Sequence, residues 1–230
     1  MKIDKHIALT AVILVGCIYF FGISDLDTLV QDIFYNIKTS TWVLSSSVQP
    51  YKFIFYDGVK KLLILFAVAM LILLVFFRKK AFVSRYKKGL MVVVLSAILV
   101  PVVVGGLKKY TDMPCPRDEV RYGGVYPRTA VWQSYDKEFR LTHKRTKCWP
   151  AGHASGGFAL MSLFFLFHTK RNRILALVSG VTIGWLMGGY KMIIGDHFLS
   201  HTVITMVLAW FLILLIARGV YGKEFPPKEG

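Results

Sequence analysis

The chain has 230 residues, of which 55% are apolar and only 18% are charged, whereas a soluble globular domain carries about 25% charged residues. This composition predicts a single membrane domain over residues 1–230, and 14% aromatic residues exclude a disordered chain. The formal net charge of +16 indicates an anionic partner, but by itself it does not distinguish nucleic acid, anionic lipid and a phosphorylated substrate.

Six windows are apolar and long enough to predict membrane-spanning helices, since a span needs about 20 residues to cross about 30 Å of hydrocarbon. They are residues 7–23, 62–77, 89–107, 151–168, 174–190 and 198–217. None of these windows contains Lys, Arg, Asp or Glu. The first lacks a convincing cleavage site for a signal peptide, so we interpret it as a span. The sequence therefore predicts an all-α integral membrane protein with six transmembrane helices.

Basic residues in short loops predict the orientation, because they are retained on the cytoplasmic side of a membrane. Two basic blocks without acidic residues lie on the side that both termini share. The blocks are Arg78, Lys79, Lys80, Arg85, Lys87 and Lys88, and Lys170, Arg171 and Arg173. We therefore expect the N- and C-termini to be cytoplasmic.

The segment after the first span predicts an amphipathic helix on the outer face. Its apolar stripe consists of Leu26, Leu29, Val30, Ile33, Phe34 and Ile37. The opposite side carries Asp25, Asp27, Gln31 and Asp32. Two interpretations are open: a helix that lies on the bundle at the membrane surface, or one that guides a lipid into a lateral opening. At the other end of the chain, residues 224–230 are predicted to be a frayed tail.

Four helix ends meet the outer face in the predicted topology, and each carries a polar residue. These residues are Lys108, His153, Lys191 and the pair His197 and His201. Ionisable groups at membrane depth are costly and are functional candidates by default. Two of the ends are helix N-termini, whose unpaired backbone N–H groups attract anions. Together with the two lysines they predict a site for an anion of phosphate size.

The histidines add chemistry to this anion site, because imidazole can attack phosphorus or transfer a proton near neutral pH. His153 and His197 lie on different helices but on one face, so they can supply a nucleophile and a leaving-group acid. Simpler interpretations stay open for each residue alone: an interfacial histidine, a snorkelling Lys191, or a glycine-rich helix start that serves close packing.

These residues resemble the three motifs of the type 2 phosphatidic acid phosphatase family, six-span lipid phosphatases that share a fold core with vanadium haloperoxidases. The first motif is matched by Lys108 and, after six residues, Cys115-Pro116. The second is matched by Pro150-Ala151-Gly152-His153, and the third by Lys191, His197 and His201 at the family's spacing. The resemblance covers residues 108–201.

The resemblance implies a lipid phosphatase that uses no metal or other cofactor. His197 would attack the phosphorus and form a phosphohistidine, and His153 would protonate the departing lipid oxygen. Lys108, Lys191 and the N–H groups near Gly152 would hold the phosphoryl oxygens. Compatible substrates are undecaprenyl diphosphate, lipid A phosphates and phosphatidylglycerol phosphate. The implied location is a bacterial-type inner (plasma) membrane, with the active site facing the periplasm or exterior.

Three departures from the motifs concern phosphate binding. The family arginine of the first motif is Cys115 here, and Arg117 is the candidate to replace its guanidinium. The family serine of the second motif is Ala151, and Ser155 is the nearest hydroxyl that can compensate. Lys191 replaces an arginine, so it keeps the charge but loses bidentate geometry.

The largest departure is His201, which stands where the family has an aspartate that orients the nucleophile. Because i and i+4 share a helix face, we expect His201 to orient His197. A neutral imidazole can accept that hydrogen bond, so the site is expected to be active with a shifted pH dependence. Asp196 is the alternative for this role, although adjacent residues on a helix point to different faces.

Two of the three cysteines, Cys115 and Cys148, lie in the outer segment between the third and fourth windows. In an oxidising compartment a disulfide between them would tie the first motif to the second. Free thiols or a metal contact are the alternatives.

The same outer loop holds ten of the 29 Lys and Arg residues, interleaved with aromatic residues. In a soluble protein this pattern is typical of nucleic-acid binding, but at a membrane it favours a phosphorylated headgroup or an anionic lipid surface. We therefore expect a phosphorylated membrane lipid and the bilayer as partners, and no nucleic acid. A connection of about 40 residues is long for a compact domain, which favours a functional cover.

Three alternative functions stay open. The first is a phosphotransferase that passes the phosphoryl group to another lipid. The second is a zinc-dependent hydrolase in which His197 and His201 bind the metal with His153, Asp196 or Cys148. The third is a lipid-binding or carrier protein without enzymatic activity.

Overall fold

The computed structural model of the chain describes residues 2–223 and 225. Residues 224 and 226–230 of the predicted frayed tail lie outside the described residues. Phe225 is buried and packs in the hydrophobic core, so the prediction of a frayed end is wrong at this position. Over the described part the chain forms eight α-helices and one short hairpin. The helices are α1 (Ile3–Ile23), α2 (Leu26–Asp32), α3 (Gly58–Phe76), α4 (Ala81–Leu107), α5 (Lys137–Thr142), α6 (Gly152–Ala159), α7 (Lys170–Ile193) and α8 (Leu199–Tyr221). The hairpin pairs strand β1 (Tyr35–Asn36) antiparallel with strand β2 (Thr41–Trp42).

Five helices are long and apolar enough to cross a membrane. They are Ile3–Ile23, Phe53–Phe76, Ala81–Leu107, Lys170–Ile193 and Leu199–Tyr221. The second of them begins with a π-helical turn, Phe53–Asp57, that runs into α3. Many large apolar side chains on these helices are exposed, as a lipid-facing surface requires. The chain is thus a mostly helical membrane protein.

The fourth predicted window, residues 151–168, contains a shorter element. Helix α6 is followed directly by a 3-10 segment, Leu160–Phe165. At about 1.5 Å per α-helical residue and about 2 Å per 3-10 residue, the two together reach about 24 Å. This is less than the hydrocarbon thickness of about 30 Å, so a sixth span here remains a prediction.

Helix α6 is short because it is enclosed by longer helices rather than by lipid. Its residues share one hydrophobic core with α4, α7 and α8, and α1 packs along α8. A Cβ atom built on Gly157 would lie 2.7 Å from the Cα atom of Gly184. Only glycine permits such an approach of two helix backbones. Buried side chains fill the rest of the core, among them Val92, Val100, Val104, Phe158, Phe165, Ile213 and Leu214.

The amphipathic outer helix is shorter than its sequence pattern indicates and has its polar side towards the protein. Helix α2 ends at Asp32, so Phe34 and Ile37 of the predicted stripe lie beyond it. Leu29 is 64% exposed, whereas Asp27 is 2% exposed. The stripe was predicted correctly as a pattern, but it is the polar face that packs on the bundle. In a membrane protein this is reasonable, because lipid solvates an apolar face as well as a protein core does.

Two buried side chains of α2 fasten this helix to the ends of α7 and α8. The carboxylate of Asp27 accepts a hydrogen bond of 2.7 Å from the backbone N–H of Ser200. The amide nitrogen of Gln31 donates to the carbonyl oxygen of Met192 at 2.9 Å. Both partners belong to helix termini, whose backbone groups lack intrahelical partners. Burial raises the pKa of Asp27, although the hydrogen bonds from Ser200 and the charge of Arg128 oppose the shift.

The outer segment between α4 and α6 neutralises much of its own positive charge. The buried carboxylate of Asp112 pairs with Arg140 and Arg145. Two further ion pairs attach the segment to the region of α2, namely Arg121 with Asp32 and Arg128 with Asp25. Four of the ten basic residues of this loop therefore stabilise the fold, which leaves fewer of them for an external anion.

We expect Asp27→Ala to lower the free energy of unfolding by about 1–3 kcal/mol, because the buried N–H of Ser200 loses its acceptor. Asp27→Asn keeps an acceptor oxygen and removes a charge that burial disfavours, so it should stay within about 1 kcal/mol of wild type. The matched control is Asp25→Ala, which removes an exposed ion pair worth at most about 1 kcal/mol. Denaturation in detergent micelles measures all three. Equal losses for Asp27→Ala and Asp25→Ala would contradict the assigned role of Asp27.

Candidate active site

The four helix ends that the sequence predicted to share one face do come together. Lys108 follows the end of α4, and its side chain lies across the start of α6. A Cβ atom built on Gly152 would lie 2.9 Å from Cε and 3.3 Å from Nζ of Lys108. Glycine at this position therefore leaves room for the lysine beside the N-terminus of α6. Burial lowers the pKa of Lys108, and nearby Lys191 adds to the shift while Asp196 opposes it.

Two buried imidazoles are in direct contact at the start of α8. Nδ1 of His197 lies 3.3 Å from Nδ1 of His201, so a hydrogen bond forms when one of the two nitrogens carries the proton. The rings are only 3% and 0% exposed. Burial holds the pKa of His197 well below its usual range, with the nearby rings and lysines adding to the effect. His197 is therefore neutral at pH 7, which is the nucleophilic form of imidazole.

The second nitrogen of His197 is not engaged. Among the residues that the structure describes, none makes a hydrogen bond with Nε2 of His197. The ring of His153, at the start of α6, has its centroid 6.1 Å from the centroid of His197. The arrangement thus holds His197 through Nδ1, and its Nε2 is buried close to a second imidazole.

Asp196 joins two cations beside these histidines. Its Oδ2 lies 2.7 Å from Nζ of Lys191, and its Oδ1 lies 2.6 Å from Nη1 of Arg117. The backbone N–H of Arg117 also donates to the carbonyl oxygen of Gly195 at 3.0 Å. Arg117 is therefore held against the turn between α7 and α8. The carboxylate of Asp196 pairs with these cations rather than with His197, so the geometry favours His201 over Asp196 as the residue that orients His197.

The turn after α7 folds tightly around Lys191, which is itself buried. The carbonyl oxygen of Lys191 accepts hydrogen bonds from the backbone N–H groups of Asp196 at 2.8 Å and His197 at 3.2 Å. This path requires Gly195 at φ +76°, a left-handed conformation that favours glycine. Lys191 and His197 are consequently placed by the same turn.

Ala151 and Ser155, the two residues considered in place of the family serine, both make hydrogen bonds within the protein. The hydroxyl of Ser155 donates to the carbonyl oxygen of Gly152 at 2.6 Å, so its hydrogen is used within α6. The N–H of Ala151 donates to Oγ1 of Thr205 at 2.8 Å, and Thr205 in turn donates to the carbonyl oxygen of His201 at 2.6 Å. Thr205 was not among the residues predicted from the sequence. The pattern that indicates it is its position one helical turn after His201.

Cys115 and Cys148 are joined by a disulfide, with their Cα atoms 5.2 Å apart. The bond ties the stretch after α4 to the stretch before α6. Cys148 also lies next to the histidine pair: one ligand atom each of Cys148, His197 and His201 lie within 4.8 Å of one another. Within residues 2–223 and 225 this is the only such cluster of three potential metal ligands. While the disulfide is formed, however, its sulfur is not a thiolate ligand.

A cavity of about 450 Å³ opens between α3, α4 and α6. Lys60, Lys108 and His153 line it: Lys60 and His153 lie at the starts of α3 and α6, and Lys108 follows the end of α4. Further along the same helices the lining is apolar. It includes Leu63, Ile64, Phe66, Ala67, Val93 and Ala97. The cavity therefore has an apolar body and one polar end, which is formed by Lys60, Lys108 and His153; His197 lies next to His153 but is not part of the lining.

The fold and this cluster define a class: a helical membrane protein with paired histidines and lysines collected at its helix ends. A family model described as the PAP2 superfamily matches residues 89–224, more than half of the chain. The chain belongs to the PAP2 superfamily, which confirms the resemblance seen in the motifs, and membership implies a phosphatase-type activity. No curated protein and no solved structure matches it. The matched range includes Lys108, Arg117, His153, Lys191, Asp196, His197 and His201. Helices α1, α2 and α3 lie before the matched range.

Proposed function

We propose that this protein hydrolyses a phosphate or diphosphate group from a membrane lipid. The observation that carries the proposal is the cavity between α3, α4 and α6, which runs from His153 and Lys108 into apolar surroundings. Pockets that are mostly apolar with a few convergent polar groups are typical of ligand sites. A lipid phosphate has the matching polarity, because its charged headgroup fits the lysine end and its chain fits the apolar body.

The proposed reaction is a double displacement at phosphorus. Nε2 of His197 attacks, so that a P–N bond forms while the bond from phosphorus to the lipid oxygen breaks, and His153 gives a proton to that oxygen. Water then hydrolyses the phosphohistidine and regenerates His197. Support comes from the unengaged Nε2 of His197 and from the 6.1 Å separation of the two ring centroids.

His201 is proposed to act as a positioning residue. Its Nδ1 accepts the hydrogen on Nδ1 of His197, which fixes the ring and directs Nε2 towards the substrate. The aspartate of the family motif performs this role with a negative charge, which also stabilises a charged nucleophile. A neutral imidazole supplies orientation with less charge stabilisation. We therefore expect activity to fall at acidic pH, where protonated His201 can no longer accept.

The phosphoryl oxygens are proposed to bind Lys108, Lys191, Arg117 and the backbone N–H groups at the start of α6. Arg117 is the proposed replacement for the family arginine that is Cys115 here. Its guanidinium and the ammonium group of Lys191 both pair with the carboxylate of Asp196, so the two cations lie close together. A phosphate dianion competes with the Asp196 carboxylate for both cations. Ser155 is not assigned a role in binding, because its hydroxyl donates to Gly152.

The topology that we propose has six crossings and cytoplasmic termini within one domain, residues 1–230. Helix α6 and its 3-10 segment make the fourth crossing, shielded by longer helices. Support comes from the basic blocks that begin at Arg78 and Lys170. In a bacterial-type inner membrane this orientation turns His197 towards the periplasm or exterior, where the Cys115–Cys148 disulfide is stable.

Phosphate release from a panel of lipids in detergent tests the activity. The panel holds undecaprenyl diphosphate, a lipid A phosphate and phosphatidylglycerol phosphate. We expect wild type to hydrolyse at least one of them, and His197→Ala to lose at least about 10³-fold in kcat, since the nucleophile is removed. The control is His168→Ala, which alters a histidine before α7 at the opposite end of the bundle.

Chromatography of the lipid products shows whether the phosphoryl group is transferred to a second lipid. Such a transfer would favour the phosphotransferase alternative over hydrolysis. Equal release by wild type and His197→Ala would exclude His197 as the nucleophile. Release by neither protein would contradict the phosphatase and favour a lipid carrier.

Narrowing the cavity tests whether it holds the lipid chain. We expect Ala97→Phe to raise KM for a long-chain lipid phosphate at least about tenfold, because about 1.4 kcal/mol of apolar contact is lost. Hydrolysis of a water-soluble aryl phosphate should change little. The control is Val102→Phe, on the same helix but 63% exposed. If both variants changed the two substrates alike, the cavity would not be the binding site for the chain.

A further inference from the structure

We propose that the disulfide beside the two buried histidines conceals a zinc site. When the bond between Cys115 and Cys148 is reduced, both sulfur atoms become ligands. Together with His197 and His201 they form a four-coordinate site for Zn²⁺. In the disulfide-bonded form no zinc ion binds His197. In the reduced form His197 is one of the four ligands of the zinc ion.

The spacing of the histidines fits one metal ion. Their Nδ1 atoms are 3.3 Å apart, and two imidazole nitrogens bound to a tetrahedral zinc ion at about 2.0–2.1 Å lie about 3.4 Å from each other. One ligand atom of Cys148 lies within 4.8 Å of one ligand atom of each histidine. Binding of one zinc ion by all three residues would require the Cys148 sulfur and the two rings to move closer together.

The fourth ligand follows from the disulfide itself. The sulfur of Cys115 is bonded to that of Cys148, so reduction releases two thiols in one place. Two cysteines and two histidines are a ligand set typical of structural zinc sites, which bind no water. Burial fits this type of site, since Cys148 is 2% exposed and His201 is fully buried.

The chemistry balances with a dithiol reductant, which in the proposed topology must reach the disulfide from the periplasm or exterior. The reductant supplies two electrons and two protons, its own thiols form a disulfide, and Cys115 and Cys148 become thiols. Zinc binding then displaces the two thiol protons to the solvent, because thiolates are the ligands. In the disulfide-bonded form only the two imidazoles remain, which is too few for tight binding.

The consequence for activity rests on the proposed function: a zinc ion bound to Nδ1 of His197 and His201 replaces their mutual hydrogen bond. The proton of the His197 ring then lies on Nε2, which has no lone pair left to attack phosphorus. The metal-binding test does not require that activity. Purified protein in detergent is reduced with a phosphine, freed of the reductant, mixed with Zn²⁺ and desalted, and the retained metal is measured. Co²⁺ replaces zinc in a parallel sample, because thiolate ligation gives cobalt a distinct absorption spectrum.

We expect about one zinc ion per reduced chain and none for the disulfide-bonded chain. Cys148→Ser and His201→Ala should each weaken zinc binding at least about 100-fold, and Cys17→Ser, which removes the thiol inside α1, should have no effect. Circular dichroism shows whether each variant is folded. The proposal is overturned if folded, reduced wild type retains no zinc, or if Cys148→Ser and His201→Ala retain it as wild type does.

Phosphate release separates the two claims. If the protein is a phosphatase, zinc should inhibit the reduced form at least about tenfold more than the disulfide-bonded form. Zinc retention without any phosphatase activity would overturn the proposed function and leave the metal site standing.

Discussion

The contact between two buried imidazoles at the start of α8 is the interaction on which the rest of the site depends. A hydrogen bond between Nδ1 of His197 and Nδ1 of His201 requires one protonated and one unprotonated nitrogen, and both side chains are buried. The first turn of α8 must also be fixed. Asp27 holds its backbone from α2, and Thr205 joins it to the start of α6. The contact between His197 and His201 therefore links the position of the His197 ring to the packing of α2, α6 and α8.

The positive charge of the chain has three separable uses. One part lies in the basic blocks on which the proposed orientation in the membrane rests. A second part is consumed in ion pairs that fold the outer segment, with Asp112 as their buried centre. A third part lies near the histidines, where Lys191 and Arg117 share Asp196. Because this carboxylate lies between both cations, the proposed binding of phosphate would exchange one anion for another. The net charge of +16 therefore overstates how many cations are open to a ligand.

The sequence was sufficient to predict the family, because the motif residues occur in the family's order and spacing. Alternating helices also place the ends that carry Lys108, His153, Lys191 and His197 near one another, whereas Thr205 was not predicted. The sequence was not sufficient for α2 or α6. Periodicity shows that α2 has an apolar face, but lipid and protein core solvate that face equally well, so its direction depends on buried polar partners such as Asp27. The ends of α6 depend on neighbours that enclose it. Contacts between residues distant in sequence, such as Asp27 with Ser200, leave no local pattern.

The central claim is that His201 holds Nδ1 of His197 and thereby directs Nε2 to phosphorus. The most direct measurement is rapid quenching of the turnover reaction at alkaline pH, followed by peptide mapping and nitrogen–phosphorus NMR of the trapped phosphohistidine. The account predicts phosphate on His197, bonded to Nε2, and a loss of that species in His201→Ala. Phosphate on Nδ1 of His197, on His153, or on no histidine while the lipid is hydrolysed would contradict it.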